Sequence, residues 1–319
     1  MNFKIQSIVG DASFRNYYRF LIKKKSRIIV IAKKKKYKNL VAYCAVNDYL
    51  RKHKILSPKL FNHNLKRGII IIEDFGNLSF YKILANKKNK IETYKKIVDL
   101  LVRIQKIKPK AKIKSIINKP HKIKYYSNKY LHEESDLFFN WYLPLFNKKK
   151  KIKKIKIKIK KSLSKLYNKI ACPNSFFVHR DFHVQNLMKV GNNIGLIDSQ
   201  DALIGNPAYD LASLIDDVRI RTTRKTKNQI YNYYVEKNSN INQKNFLLDF
   251  NILSVQRSLK IIGIFSRLYA RDQKSKYLKL IPYAWKLLES RMNMKIFSEL
   301  KENLDKSVPK VIRKKVINR

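Results

Sequence analysis

The sequence predicts an α+β fold: a small antiparallel sheet with one helix, then a larger, mostly helical region. Three observations carry this reading. Before residue 75, β-branched and aromatic residues concentrate in short runs with turn residues between them. Within that stretch one segment, residues 39–53, instead places apolar residues at helical spacing. Beyond residue 75 the helical period dominates, broken once, between residues 174 and 206, by short apolar runs around a polar loop.

Taken in order, residues 16–24 and 27–31 are rich in strand formers, with Lys25-Ser26 between them. In residues 39–53, Leu40, Tyr43, Cys44, Val46, Tyr49 and Leu50 follow a helical repeat, and Pro58 comes after its end. Residues 59–63 and 68–72 read as a further hairpin, which Glu73-Asp74-Phe75-Gly76 interrupts. Residues 148–161 are lysine-rich enough to look like a low-complexity tail. Yet Ile152, Ile155, Ile159, Leu163, Leu166 and Ile170 fit one helix face, with Ile157 off it. Like charges at that density repel, so this surface helix is expected to be marginal and salt-sensitive. In the final third, residues 255–268, 277–288 and 294–300 read as amphipathic helices suited to walling a pocket. Tyr231, Tyr233 and Tyr234 read as core or pocket, with core the better reading for any one of them. The boundary between a small amino-terminal lobe and a large one is expected near Asp74, giving residues 1–74 and 75–319.

A chain of 319 residues, 45% apolar and 12% aromatic, can bury a full core and lacks the composition of a disordered protein. Two cysteines, Cys44 and Cys172, are too few for a disulfide framework and are expected to be reduced thiols. Met1-Asn2-Phe3-Lys4 lacks the apolar stretch of a secretory signal, and the longest aliphatic run, residues 69–72, is far too short to span a bilayer. A cytoplasmic location is the expectation. The formal charge of +50 raises nucleic acid or an anionic membrane as partners. Lysine, however, far outnumbers arginine and occurs in every segment, whereas specific nucleic-acid readers favour the arginine fork. Drift in composition is the preferred explanation, with steering of anionic ligands as its physical consequence. Neither a membrane nor a specific nucleic-acid partner is expected.

The chemistry-bearing segment begins at His179-Arg180-Asp181 and continues to Asn186, an H-x-D-x4-N arrangement. Twelve residues after Asn186, an apolar run ends in Asp198. The runs 187–190 and 194–197 flank Gly191-Asn192-Asn193, a hairpin turn that would fold Asn186 back toward Asp198. Two oxygen-bearing side chains could then reach one hard cation. Phosphoryl transfer from ATP needs such parts: a carboxylate to orient the attacking hydroxyl and take its proton, and oxygen ligands for the magnesium that bridges the phosphates. The expected architecture is therefore the bilobal, protein-kinase-like one.

These residues resemble the aminoglycoside phosphotransferase and choline kinase superfamily. Within it, three segments are similar to the bacterial anomeric sugar kinases acting on N-acetylmuramate and N-acetylglucosamine. They are Gly10-Asp11-Ala12-Ser13-Phe14-Arg15-Asn16-Tyr17-Tyr18-Arg19, the stretch from Ile197 through Tyr209-Asp210-Leu211, and Gln256-Arg257-Ser258-Leu259-Lys260 with the residues up to Leu268. The resemblance spans most of the chain and implies roles position by position. Asp181 would be the base that orients the anomeric hydroxyl. Asn186 and Asp198 would hold Mg2+. Gly10, Asp11, Ser13 and Phe14 would cover the phosphates of ATP. Glu73, Asp74 and Phe75 would form the connector whose main chain meets adenine. Arg180, His183, Gln200, Asp201, Arg219, Gln256 and Arg257 are substrate candidates; for Arg219 a pairing with Asp216 or Asp217 is an equal alternative, and for His183 packing of the loop. An anomeric phosphate would feed a uridylyltransferase.

The chain also departs from the kinase pattern. It has no G-x-G-x-x-G, and Gly10 is the single glycine of the phosphate-covering turn. Lys33 and Lys34 both stand where a phosphate-binding lysine is needed, and residues 39–53 contain no Glu, only Asp48, to partner either. Ser199-Gln200 replaces the Phe-Gly that follows the metal-binding Asp in protein kinases. With 22 acidic against 72 basic residues, an acidic pocket for an amino alcohol or aminoglycoside is hard to build.

Overall fold

The computed structural model describes residues 5–8, 15–22, 25–32 and 37–316. They form two compact units, Met1–Tyr125 with Ser175–Ile204, and Tyr126–Asn174 with Gly205–Arg319. Most of the polar loop and hairpin of residues 174–206, residues 175–204, therefore belongs to the first unit.

In the first unit, strands β1 (Ile5–Ile8), β2 (Asn16–Ile22), β3 (Lys25–Ile31), β4 (Leu60–Asn64) and β5 (Ile69–Glu73) form an antiparallel sheet in the order β1-β2-β3-β5-β4. Side chains alternate between faces along a strand, so Ile28 and Val30 of β3 and Ile70 and Ile72 of β5 point to one side. There they meet Leu40, Tyr43 and Cys44 of α1 (Tyr37–Lys52) in one buried cluster. The first half of the helical repeat read from the sequence covers this sheet, while Tyr49 further along stacks on Phe177. Lys25 and Ser26, expected to separate two strands, lie inside the β2–β3 ladder instead. Ser26 is tolerated there because its hydroxyl donates to Asp74 at 2.7 Å. Strand β1 was not apparent from sequence: it is a short edge strand, mostly exposed, with no alternating apolar face to betray it.

The same unit holds α2 (Phe80–Ala85), α3 (Ile91–Gln105) and the short pair β6 (Lys112–Ile113) and β7 (His121–Lys122). Ser79 caps α2 by accepting from the Lys82 amide at 3.4 Å. Tyr94, Ile97, Val98, Leu101 and Ile104 make the buried stripe of α3. Strand β8 (Phe176–Val178) pairs with β11 (Leu203–Gly205), in which the unit ends, and β9 (Leu187–Val190) pairs with β10 (Asn193–Leu196).

The second unit is helical: α4 (Asn128–Leu137), α5 (Lys149–Tyr167), α6 (Ala208–Ile215), α7 (Arg224–Glu236), α8 (Gln243–Asp272), α9 (Ile281–Arg291), α10 (Ser298–Ser307) and α11 (Lys310–Lys314). The segment expected at 255–268 lies largely in the carboxy-terminal half of α8, which runs for 30 residues and is buried along most of them. Gly263 lets α8 approach the end of α4; a Cβ there would sit 2.3 Å from the Leu137 carbonyl carbon. The segments expected at 277–288 and 294–300 each begin as a 3-10 turn and continue as α9 and α10. On α5, Ile155, Ile159, Leu163 and Leu166 are buried and Ile157 is 62% exposed, as the stripe requires. Neighbouring acids relieve its charge: Asp136 accepts from Lys160 at 3.1 Å and Glu299 from Lys165 at 2.6 Å. Both cysteines are free thiols, and burial pushes each up to about 12. No helix among the described residues is long and apolar enough to cross a membrane.

Candidate active site

The loop between β8 and β9 is irregular for a physical reason: its polar groups are spent on one another. The Asp181 carbonyl accepts from the His183 amide at 2.9 Å and from Asn186 Nδ2 at 3.0 Å. His183, 7% exposed, also lies 3.4 Å from Asn186 Nδ2 through its Nε2. His179 is fully buried, its Nε2 3.1 Å from the Ile197 carbonyl. A tight turn at Gly191 closes the β9–β10 hairpin, and its register continues outward, with the Ile197 amide donating to the Asn186 carbonyl at 3.0 Å. Asn186 and Asp198 are thereby held at neighbouring positions at the open end of one hairpin, as the sequence led us to expect.

Two residues here, Arg180 (φ 73°) and Asp198 (φ 67°), take left-handed backbone without being glycine. That conformation costs of order 1–3 kcal/mol and persists only where the surroundings over-determine it. For Arg180 the visible restraint is Nη1 donating to the Asp201 carbonyl at 3.3 Å. For Asp198 it is an ion pair: Arg15 Nη2 donates to Oδ1 at 2.7 Å. Arg15 also donates to Gln200 Oε1 at 3.2 Å, and Gln200 Nε2 donates to Asp201 at 3.0 Å. Burial works against the charge of Arg15, yet Tyr17 and Asp198 raise its pKa above the ordinary value. Between them, Ser199 donates to Asn47 Oδ1 of α1 at 2.5 Å. Arg15 and Asn47 were missed as site residues, since nothing in local spacing links residue 15 to residue 198. The one clue was an arginine directly after the opening turn.

The connector residues hold the sheet. Asp74 accepts from Arg19 at 2.5 and 2.8 Å, from Ser26 and from the Gly76 amide at 2.8 Å. Burial pushes its carboxyl up, but these donors outweigh that and hold it below the usual range. Glu73 accepts from Arg51 and the Lys59 amide. Phe75 is buried against Gly195, where a Cβ would lie 2.6 Å from its ring. Gly10, Asp11, Ser13, Phe14 and Lys33, with the alternative Lys34, lie outside the described residues. Asp48 is spent on Lys52 at 2.7 Å on the surface of α1.

Of the substrate candidates, Arg180, His183, Gln200 and Asp201 are together in the first unit. Arg219, Gln256 and Arg257 belong to the second. Arg219 pairs with Asp217 at 3.1 Å. Asp216 is taken by Lys227 at 2.7 Å and Arg291 at 2.8 Å. Gln256 donates to Glu134 at 3.1 Å, beside the Lys260–Glu134 ion pair at 2.8 Å. Arg257 is 4% exposed on α8.

The donor set suits a hard cation that arrives with its own ligands. Asn186 engages its amide nitrogen and leaves Oδ1 as an acceptor, and Asp198 has one oxygen beyond the Arg15 bond. Among the described residues no group of three or more His, Cys, Asp or Glu forms a cage. Magnesium needs none, since it is commonly bound through one or two carboxylates, substrate phosphates and water.

Comparison with known proteins finds similarity to phosphotransferases. The chain is 27% identical over 287 residues to the N-acetylmuramate/N-acetylglucosamine kinase of Pseudomonas aeruginosa, covering 88% of this chain and 81% of that one. It is 24% identical to the kinase of the same name from Caulobacter vibrioides, over 84% of this chain and 75% of the other. Among solved structures, the aminoglycoside phosphotransferase APH(2")-IIa, in a ternary complex with streptomycin and ATP, superposes with a TM-score of 0.60. It does so at 12% identity, over 93% of each chain, which shows a shared fold. The family described as "Phosphotransferase enzyme family" matches residues 4–236, most of the sheet-bearing unit and the helices that follow it. With the H-x-D-x4-N loop and the Asp198 hairpin in place, the chain belongs to the phosphotransferase enzyme family.

Proposed function

We propose that this chain is an ATP- and magnesium-dependent kinase that phosphorylates the anomeric hydroxyl of an amino sugar, N-acetylmuramate or N-acetylglucosamine. The observation that carries the reading is the hairpin that sets Asn186 beside Asp198, with Asp181 tied to Asn186. Relatives named for these two sugars, aligned over most of the chain, support the substrate class. In this reading residues 1–74 form the nucleotide lobe and residues 75–319 the catalytic and sugar-binding lobe.

Asp181 orients the anomeric hydroxyl and takes its proton, work worth ~10²–10⁴-fold in rate. Asn186 Oδ1 and Asp198 are the protein's ligands to Mg2+, which when bound neutralises charge on the transferring phosphoryl group. The backbone of Gly10, Asp11, Ser13 and Phe14 covers the phosphates, and Lys33 reaches them. The main chain of Glu73, Asp74 and Phe75 meets adenine, which leaves the Asp74 carboxylate free to hold the sheet as seen. Arg180, His183, Gln200, Asp201, Arg219, Gln256 and Arg257 are assigned to sugar recognition. The product, an anomeric sugar phosphate, is what a uridylyltransferase consumes, so a role in cytoplasmic cell-wall sugar salvage follows. No specific nucleic-acid partner is needed.

The test is a panel of amino sugars, choline and aminoglycosides incubated with ATP and magnesium, read by phosphorus NMR. Phosphate on the anomeric oxygen of N-acetylglucosamine or N-acetylmuramate is expected. Preferential phosphorylation of choline or an aminoglycoside would replace this reading with another small-molecule kinase.

A further inference from the structure

We propose that Arg15 is the positioning residue of the Asp198 carboxylate, holding one oxygen so that the other is presented to the divalent cation. The inference rests on the reading of Asp198 as a metal ligand and adds the group that sets its orientation.

Burial in this ion pair is lopsided. The Arg15 side chain is 5% exposed and that of Asp198 is 36% exposed. A buried arginine needs partners on every side, and Arg15 has them. Its two terminal nitrogens reach Asp198 and Gln200, and the rings of Tyr17 and Tyr43 lie 5.7 Å from the guanidinium carbon, within cation–π range. The planar fork thus grips positions 198 and 200 together, which a lysine could not do. Ser199, between them, is fixed to α1 by Asn47. These contacts over-determine the left-handed backbone of Asp198. Oδ1 is taken; Oδ2 has no partner among the described residues, on a side chain that is one-third open. Groups that orient a metal-ligating carboxylate are commonly worth about 10–100-fold in metal affinity. In this chain α1 offers no glutamate, and Asp48 is spent on Lys52. The link from α1 to the segment 198–200 runs through Asn47 and through the Tyr43 ring against Arg15.

The experiment is Mn2+ binding to the full chain in the presence of ADP, followed by electron paramagnetic resonance of the free ion. Parent, Arg15→Met, Arg15→Lys and Asp198→Asn proteins are compared, with thermal unfolding and metal-free ADP binding as controls. Arg15→Met is expected to weaken Mn2+ binding about 10–100-fold, with metal-free ADP binding unchanged. Arg15→Lys, which keeps charge but loses the fork, is expected to fall between Arg15→Met and the parent, and it carries the test alone if the methionine variant does not fold. Parent-like Mn2+ binding in the variant that folds would overturn the proposal. So would tighter binding, which would make Arg15 a competitor of the cation. Asp198→Asn separates the two claims. If it binds Mn2+ like the parent, the metal reading itself fails; if it loses binding while the Arg15 variants keep it, only the role of Arg15 fails.

Discussion

Asp198 concentrates three demands in one residue: left-handed backbone, an ion pair to a residue far away in sequence, and an oxygen available to a cation. Its substitution should therefore separate metal dependence from folding. Asp198→Ala is expected to abolish magnesium-dependent turnover while the protein still unfolds cooperatively; a magnesium titration of initial rates checks this, and an unchanged titration curve would refute the assignment. The loop and hairpin that carry Asp181, Asn186 and Asp198 were legible in sequence because their spacing is local, within twenty residues. Arg15 and Asn47 were not, because their partners lie 183 and 152 residues away and only the folded sheet and α1 join them. The same holds for Asp74. Its sequence context marked a break after a strand, whereas its carboxylate is a staple between Arg19 and Ser26.

Among the elements, α1, the β4–β5 hairpin and the β9–β10 hairpin were read with small boundary errors, because each has a clear period and a turn signal. Strand β1 and the ends of α8 escaped for the opposite reason. An exposed edge strand has no buried face, whereas α8 starts twelve residues before the expected segment, on a stretch whose Phe246, Phe250, Ile252 and Leu253 are buried but alternate with polar residues that are buried too, Asp249, Asn251 and Ser254. Helix α8 also supplies a stability test. Gly263 sits where a methyl would meet the backbone of Leu137 and Phe138. Gly263→Ala is expected to lose at least about 1–3 kcal/mol despite the better helix propensity of alanine. Urea unfolding measures it, and a variant as stable as the parent would mean that α8 and α4 can separate at no cost.

At the scale of the whole molecule, charge sets the solution behaviour. With a formal charge of +50, self-repulsion opposes the compact state, so the thermal midpoint is expected to rise with ionic strength; a flat salt series would contradict this. The few acids matter accordingly. Asp216, fully enclosed, is pushed up by burial, but Lys227 and Arg291 hold its carboxyl well below the usual range. Asp74 is also lowered. A depressed folded pKa gives stability that is complete above the unfolded value, about 3.9, and is lost as pH falls through the folded one. Urea midpoints are thus expected to be level from neutral pH to about 5 and to drop below about 4. Asp216→Asn should cost about 3–5 kcal/mol near neutrality, since it leaves the partly buried Lys227 and Arg291 without their carboxylate, and should flatten the acid limb; an unchanged acid limb would show that Asp216 does not govern it. The +50 charge was the loudest feature of the sequence, yet the match that identifies the family spans residues 4–236, a stretch that includes the H-x-D-x4-N loop and the Asp198 hairpin.

The most direct test of the central claim is the turnover of Asp181→Asn with N-acetylglucosamine, ATP and magnesium. The expected result is a fall in kcat of ~10²–10⁴-fold with the KM for ATP little changed. Turnover within a few-fold of the parent would contradict the claim that this carboxylate takes the proton of the attacking hydroxyl.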